Sequence, residues 1–275
     1  MSRSTLVPVV VFALLVSACG GPEISSLDPQ VDPENGTNVD PGGNTLTGSK
    51  VGDYLSSTCS TSVVRPLSIQ LITELDCLKP GAVSEIPADD QIDASGILDY
   101  LQTKAGESLP VVANARPSST LHLNSALRSL AQQYLLYQWY LQGRCGISAA
   151  ATPGTSNHER GLAVDVQSSS SWRSAFQNHS WHWLGSGDPV HYDFTGSGTT
   201  TITGKSVQAF QRLWNVNNPD DEISEDGVYG PQTAARLKKS PAGGFDIGNT
   251  CGQQPFASYS FDMMAAEAEP ETCAL

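Results

Sequence analysis

The run Leu162-Ala163-Val164-Asp165-Val166 sets a carboxylate inside an apolar, strand-forming segment, and this one residue narrows the folds open to the chain. An ionised Asp buried without a partner is expensive, so the strand must meet a positive group or a metal cation. The flanking sequence offers donors for one. Upstream, a turn at Pro153-Gly154 leads through Thr155-Ser156-Asn157 to His158. Downstream, Asp188-Pro189-Val190-His191-Tyr192-Asp193-Phe194 alternates like an edge strand that begins after its proline.

Hydrophobic periodicity predicts a mixed scaffold around that strand. Val63, Val64, Leu67, Leu71, Ile72 and Leu75 form a helical stripe closed by Lys79-Pro80-Gly81. A second helix is expected from about Asp93-Ala94-Ser95 to Leu101, a short strand at Leu109-Pro110-Val111-Val112, and a long helix from Asn124 to Leu141. A helix of about ten residues from Ser171 then leads to His182-Trp183-Leu184 and a Gly185-Ser186-Gly187 turn. Thr195 to Thr203, rich in Gly, Thr and Ser, marks a boundary. Beyond it, Val207, Phe210, Leu213 and Trp214 predict one amphipathic helix and Thr233, Ala234 and Leu237 another, joined by the turn Asp226-Gly227-Val228-Tyr229-Gly230-Pro231.

The N-terminus reads as an address. Met1 to Ala18 carries Arg3 and an apolar run from Leu6 to Val16, too short to span a bilayer and fitting a signal peptide. It ends in Val16-Ser17-Ala18-Cys19, which resembles the bacterial lipobox and implies lipidation at Cys19, so that an acyl chain alone anchors the protein to a membrane. Residues 19–48, rich in Pro, Asp, Asn and Gly, are expected as a disordered tether. The protein is then exported and faces the periplasm or cell wall, on the outer membrane if the cell is Gram-negative. Export favours disulfides among Cys59, Cys77, Cys145, Cys251 and Cys273, an odd set. Cys251 with Cys273 would close the tail, and two of Cys59, Cys77 and Cys145 would staple the main domain; the connectivity does not follow from sequence. A formal net charge of −13 argues against a nucleic-acid partner.

Serine chemistry finds no support: no Ser precedes a Lys by three positions, and neither Lys-Thr-Gly nor Gly-x-Ser-x-Gly occurs. Cys145 has no neighbouring His and reads as a disulfide partner. Nor is His158-Glu159 the start of a two-histidine zincin helix, because the position four after His158 is Leu162. Metal chemistry of another pattern remains. Ser156-Asn157-His158-Glu159-Arg160-Gly161-Leu162-Ala163-Val164-Asp165 resembles the Ser-x-His-x-x-Gly-x-Ala-x-Asp signature of the zinc D-Ala-D-Ala carboxypeptidases and dipeptidases of the VanY and VanX kind, matching at every fixed position. That family completes its site with Glu-Pro-Trp-His, where this chain has Asp188-Pro189-Val190-His191.

The resemblance implies Zn2+ held by His158, Asp165 and His191, with Asp188 as general base. Three protein donors leave the fourth corner of a tetrahedron for water, as a catalytic zinc requires. Asp is one methylene shorter than Glu, and the Asp-Pro-x-His form is also similar to the related L-Ala-D-Glu endopeptidases, which leaves the scissile bond open. Ala126-Leu127-Arg128-Ser129 with Gln133 resembles the family's Tyr-Arg-Ser stretch, implying that Arg128 binds substrate and stabilises the oxyanion while Gln133 and Ser156 line the substrate site. His179 and His182 are expected to face solvent or to stand behind the ligands, His122 to be structural, and Trp183 and Tyr192, which flank the site, either to pack the metal shell or substrate or to belong to the core.

Val207-Gln208-Ala209-Phe210-Gln211 and the Asp226 to Thr233 turn resemble the peptidoglycan-binding domain type 1, a small three-helix fold, although Lys238-Lys239-Ser240-Pro241 departs from its last helix. The expected architecture is α+β: a zinc D,D-peptidase domain over 49–198 with a small antiparallel sheet packed with helices, a peptidoglycan-binding module over 199–245, and a tail over 246–275. The expected protein is a monomer acting on peptidoglycan stem peptides as a D,D-carboxypeptidase. Its rivals are an endopeptidase cutting L-Ala-D-Glu or a crosslink, and a non-catalytic wall-binding lipoprotein.

Overall fold

A computed structural model describes residues 49–252. The leader Met1–Ala18, Cys19, the tether 19–48 and Cys273 lie outside the described residues.

The chain assembles a sheet half and a helical half. In the sheet half, β2 (Ile92–Asp93), β4 (Leu121–Ser125), β5 (Ala163–Val166), β7 (His191–Phe194) and β6 (Trp181–Trp183) lie in that spatial order. All neighbours are antiparallel except β2 and β4, which run parallel, so the sheet is mixed rather than purely antiparallel. Helices α2 (Thr103–Asn114) and α4 (Ser169–Asn178) bury Leu109, Val112, Trp172 and Phe176 with Leu121, Val164, Val166 and Tyr192 from the strands. The short pair β1 (Ser84–Glu85) and β3 (Tyr100–Leu101) stands apart.

The helical half packs α1 (Arg65–Leu78), α3 (Leu130–Leu141), α5 (Lys205–Asn217) and α6 (Pro231–Lys239) around Leu67, Leu71, Leu135, Trp139, Phe210, Leu213 and Leu237. Each such side chain, fully buried, contributes about 1.5–3 kcal/mol. Residues 199–245 thus supply two helices, α5 and α6, that share one core with α1 and α3. The chain after α6 returns across α1: the Phe245 N–H donates to Gln70, and buried Glu74 accepts from Thr250 and pairs with Arg212 at 3.1 Å.

Several elements depart from the sequence expectations, each for a local reason. The helix expected from Asp93 to Leu101 is β2, a turn and β3, because Asp93 Oδ1 accepts the Ser95 N–H at 3.0 Å and bends the chain where a helix would begin. The strand expected at Leu109–Val112 lies inside α2 despite Pro110. Ala105, Leu109, Val112 and Ala113 form a fully buried helical stripe there. Burying Leu109 and Val112 at about 1.5–3 kcal/mol each offsets an interior proline's cost of about 3 kcal/mol.

The helix expected from Asn124 starts at Leu130, where Ser129 Oγ accepts the Gln132 N–H and the Gln132 side chain accepts the Ser129 N–H, a capping box. Residues 121–125 form β4 instead. The strand at His191 is interior, between β5 and β7's other neighbour β6, and β6 is the edge. Its proline precedes the first ladder residue, so an interior place costs no hydrogen bond. The disulfides are Cys59–Cys145, within the expected set, and Cys77–Cys251, which excludes the expected Cys251–Cys273 bridge.

Candidate metal centre

Sheet order assembles the site. With β5 next to β7, Asp165 and His191 are direct cross-strand partners, and Ser125 of β4 faces Asp165 from the other side. Side chains so paired stand within contact of each other. His158 arrives from a 3₁₀ turn, His158–Arg160, that ends just before β5. That turn closes at Gly161, whose φ of 63° is left-handed and where an added Cβ would lie 2.9 Å from the Gln102 backbone nitrogen. Only glycine meets both demands. Gln102 Nε2 also donates to the Arg160 carbonyl at 2.8 Å, so the end of the turn is pinned to the start of α2.

His158, Asp165 and His191 are 1%, 2% and 8% exposed, and one ligand atom from each lies within 4.8 Å of the others. His158 Nδ1 sits 2.7 Å from the Ala126 carbonyl, which only accepts, so Nδ1 carries the proton and Nε2 turns a lone pair inward. His191 Nε2 is held at 2.8 Å by Asp193 Oδ1, which also accepts from Asn157 Nδ2 at 2.9 Å, and Nδ1 faces inward. The inward nitrogens lie 3.2 Å apart, and Asp165 reaches His191 Nδ1 at 3.0 Å and His158 Nε2 at 3.2 Å. Two imidazole nitrogens and one carboxylate, each ring fixed from behind by a carbonyl or a carboxylate, form a donor set that suits zinc.

Electrostatics bear out the demand made by Asp165. Arg128 Nη2 donates to its Oδ2 at 2.5 Å and Arg128 Nε to Ser125 Oγ at 3.1 Å. Burial alone would raise the Asp165 pKa, but His158, Arg128 and the hydrogen bonds hold it well below the ordinary value. Burial and the Arg128 charge push His158 down to about 4. For His191 burial is outweighed by bonds to Asp165 and Asp193, which lift it to about 10.

Asp188 is half-buried in the loop before β7, and its Oδ1 is covered and without a hydrogen-bond partner among the described residues. Burial and the Asp165 charge raise its pKa. A carboxyl so placed is suited to moving a proton. Its loop is braced at the Pro189 carbonyl, which accepts from Ser169 Oγ at 2.5 Å and Trp183 Nε1 at 2.9 Å, with the Arg173 guanidinium 3.5 Å over the Trp183 ring.

Arg128 and Asp188 therefore lie within electrostatic reach of the cluster. Ser156 and Gln133 act on the loop that delivers His158: Ser156 Oγ accepts the His158 N–H at 3.2 Å, and Gln133 Nε2 donates to the Ala151 carbonyl at 2.8 Å. His122 pairs with Asp93 at 2.8 Å on the surface, His182 is exposed, and Tyr192 is buried with its hydroxyl on the Ser169 carbonyl.

Asp193, Asn157 and Glu159 carry parts that sequence reading did not assign. Asp193 had a signal, standing two residues after His191 on the same strand face. For Glu159 there was none: it is 2% exposed, and burial pushes its carboxyl up to about 7 against the donors that surround it.

Residues 100–204 match a family model described as VanY, D-alanyl-D-alanine carboxypeptidase. The matched stretch runs from β3 to the residue before α5 and contains Arg128, His158, Asp165, Asp188 and His191. It supports a peptidase of the carboxypeptidase kind. Among curated proteins none matches the chain.

Proposed function

We propose that the protein is a zinc D,D-carboxypeptidase that removes the terminal D-Ala from peptidoglycan stem peptides. What carries the reading is the buried His158, Asp165 and His191 cluster, with Arg128 and Asp188 beside it, inside the stretch that matches the carboxypeptidase family. Bound to those three donors, zinc would supply Lewis acidity and lower the pKa of water.

The chain's own residues supply the rest. Ala126 and Asp193 keep one nitrogen of each imidazole turned inward. Asp188, half-buried and poised above the ordinary carboxyl pKa, takes a proton from the attacking water and returns it to the leaving amine as the peptide C–N bond breaks. Arg128, fixed by Asp165 and Ser125, presents positive charge to the oxygen that becomes negative. In this reading residues 199–245 serve as a wall-binding module, and lipidation at Cys19 holds the exported protein at a membrane.

The test is mass spectrometry of a stem pentapeptide incubated with zinc-loaded protein. Loss of a single D-Ala, abolished in His158→Ala, is expected; an unchanged peptide defeats the proposal. Asp188 in place of the carboxypeptidases' Glu carries a second reading, an L-Ala-D-Glu endopeptidase, whose Asp-Pro-x-His form Asp188-Pro189-Val190-His191 resembles and which the same spectra separate by product mass. Mass analysis of the mature N-terminus reads out acylation at Cys19.

A further inference from the structure

The matched stretch stops where α5 begins, yet the turn that carries His158 is tied to α5. Buried Glu159 is the tie. Its two oxygens accept the Gly154 N–H at 2.9 and 2.8 Å, the Ser156 N–H at 3.3 Å and the Ser206 hydroxyl, from the first turn of α5, at 3.1 Å. Ser156 in turn accepts the His158 N–H. A second contact runs beside this one. Gly154 has a left-handed φ of 86°, and a Cβ there would lie 2.6 Å from Val207 Cγ2 of α5 and 3.8 Å from Tyr229 Cβ. The loop is therefore pressed against the C-terminal helices as closely as glycine allows.

We infer that Glu159 is a positioning residue that locks the His158 turn onto α5, making the C-terminal helices part of the metal site's frame as well as a wall-binding module. The inference rests on the metal-peptidase reading above. A module that served only to hold the protein on the wall would need no bond to the ligand turn. Without Glu159, two backbone donors in a buried loop lose their acceptor, and the loop moves to find another. In Glu159→Gln one of the two accepting oxygens becomes an NH2 group, and since the Gly154 N–H lies 2.9 and 2.8 Å from the two oxygens, that contact turns from attraction to repulsion whichever way the amide is set.

The experiment measures zinc affinity of the full chain by competition with a chromophoric chelator, together with the absorption spectrum of the cobalt-substituted protein. Glu159→Gln is expected to weaken zinc binding about tenfold or more, as loss of a supporting hydrogen bond around a metal ligand does, and to shift the cobalt bands. Ser206→Ala removes only the α5 arm and is expected to weaken binding by about two- to tenfold, the worth of one hydrogen bond, and less than Glu159→Gln does, with Ser206→Thr restoring it. If Glu159→Gln does not fold, the Ser206 pair decides. Wild-type zinc affinity and cobalt spectrum in folded Ser206→Ala and Glu159→Gln overturn the inference and leave the peptidase reading standing, whereas a wild-type chain that binds no zinc overturns both.

Discussion

His191 and His158 reach the same point from mounts of opposite kind. His191 sits on an interior strand, opposite Asp165, so backbone ladders on both sides set its place and one side chain, Asp193, sets its ring. His158 sits on a turn of three residues with no ladder of its own. Its position depends on a few separate bonds and one backbone conformation: Ser156 on its N–H, the Arg128 N–H on its carbonyl, Glu159 beneath, Gly161 behind and Gln102 across the carbonyls. A ladder holds a residue through many equivalent bonds, so no single change removes it. A turn is held by a few distinct bonds, each of which matters.

Four variants sharpen the contrast. The largest effect is expected from Arg128→Ala, which strikes the carboxylate both mounts share: a buried Asp that loses its guanidinium costs about 3 kcal/mol in urea unfolding of the metal-free protein. Hydrolysis should fall at least about a hundredfold with it. Gly161→Ala attacks the turn alone, combining a left-handed φ with a close backbone approach, and should cost about 2 kcal/mol or more and weaken zinc binding in parallel. An unchanged zinc affinity would show that the turn does not need this closure.

Asp193→Asn attacks the strand mount. Its oxygen still accepts from His191 and Asn157, so the fold should lose less stability than in Gly161→Ala while zinc affinity drops about tenfold through lost charge. Equal loss of stability and affinity would erase the contrast between the mounts. Ser129→Ala, at the cap of α3, is the control: about 1 kcal/mol of stability, with zinc affinity unmoved.

The ligands were legible because their chemistry is local. Ser156, His158, Gly161 and Asp165 lie within ten residues, and an Asp inside an apolar strand announces its need for positive charge wherever the strand is placed. Arg128 could be singled out by resemblance, but its bond to Asp165 follows from the pairing of β4 with β5. The helix expected over 93–101 is absent because Asp93-x-Ser95 closes a turn instead of capping a helix, and the helix expected from Asn124 begins only at the Ser129-x-x-Gln132 box, five residues later. Helix α2 was hidden for the opposite reason, since Pro110 is a strong local signal that burial overrode.

By itself the sequence determined that the chain is mixed α+β and where the amphipathic helices α1, α5 and α6 run, because each follows from residue type and spacing along a short stretch, while the metal residues were named through the resemblance of the Ser156 to Asp165 and Asp188 to His191 motifs to a peptidase family. Tertiary structure alone decided that Cys251 joins Cys77, that His191 stands on an interior strand with Asp193 behind its ring, and that Glu159 ties the ligand turn to α5. Those facts depend on which distant segments are brought into contact. Contact between segments is set by the burial of whole faces, and no short stretch of sequence contains that information.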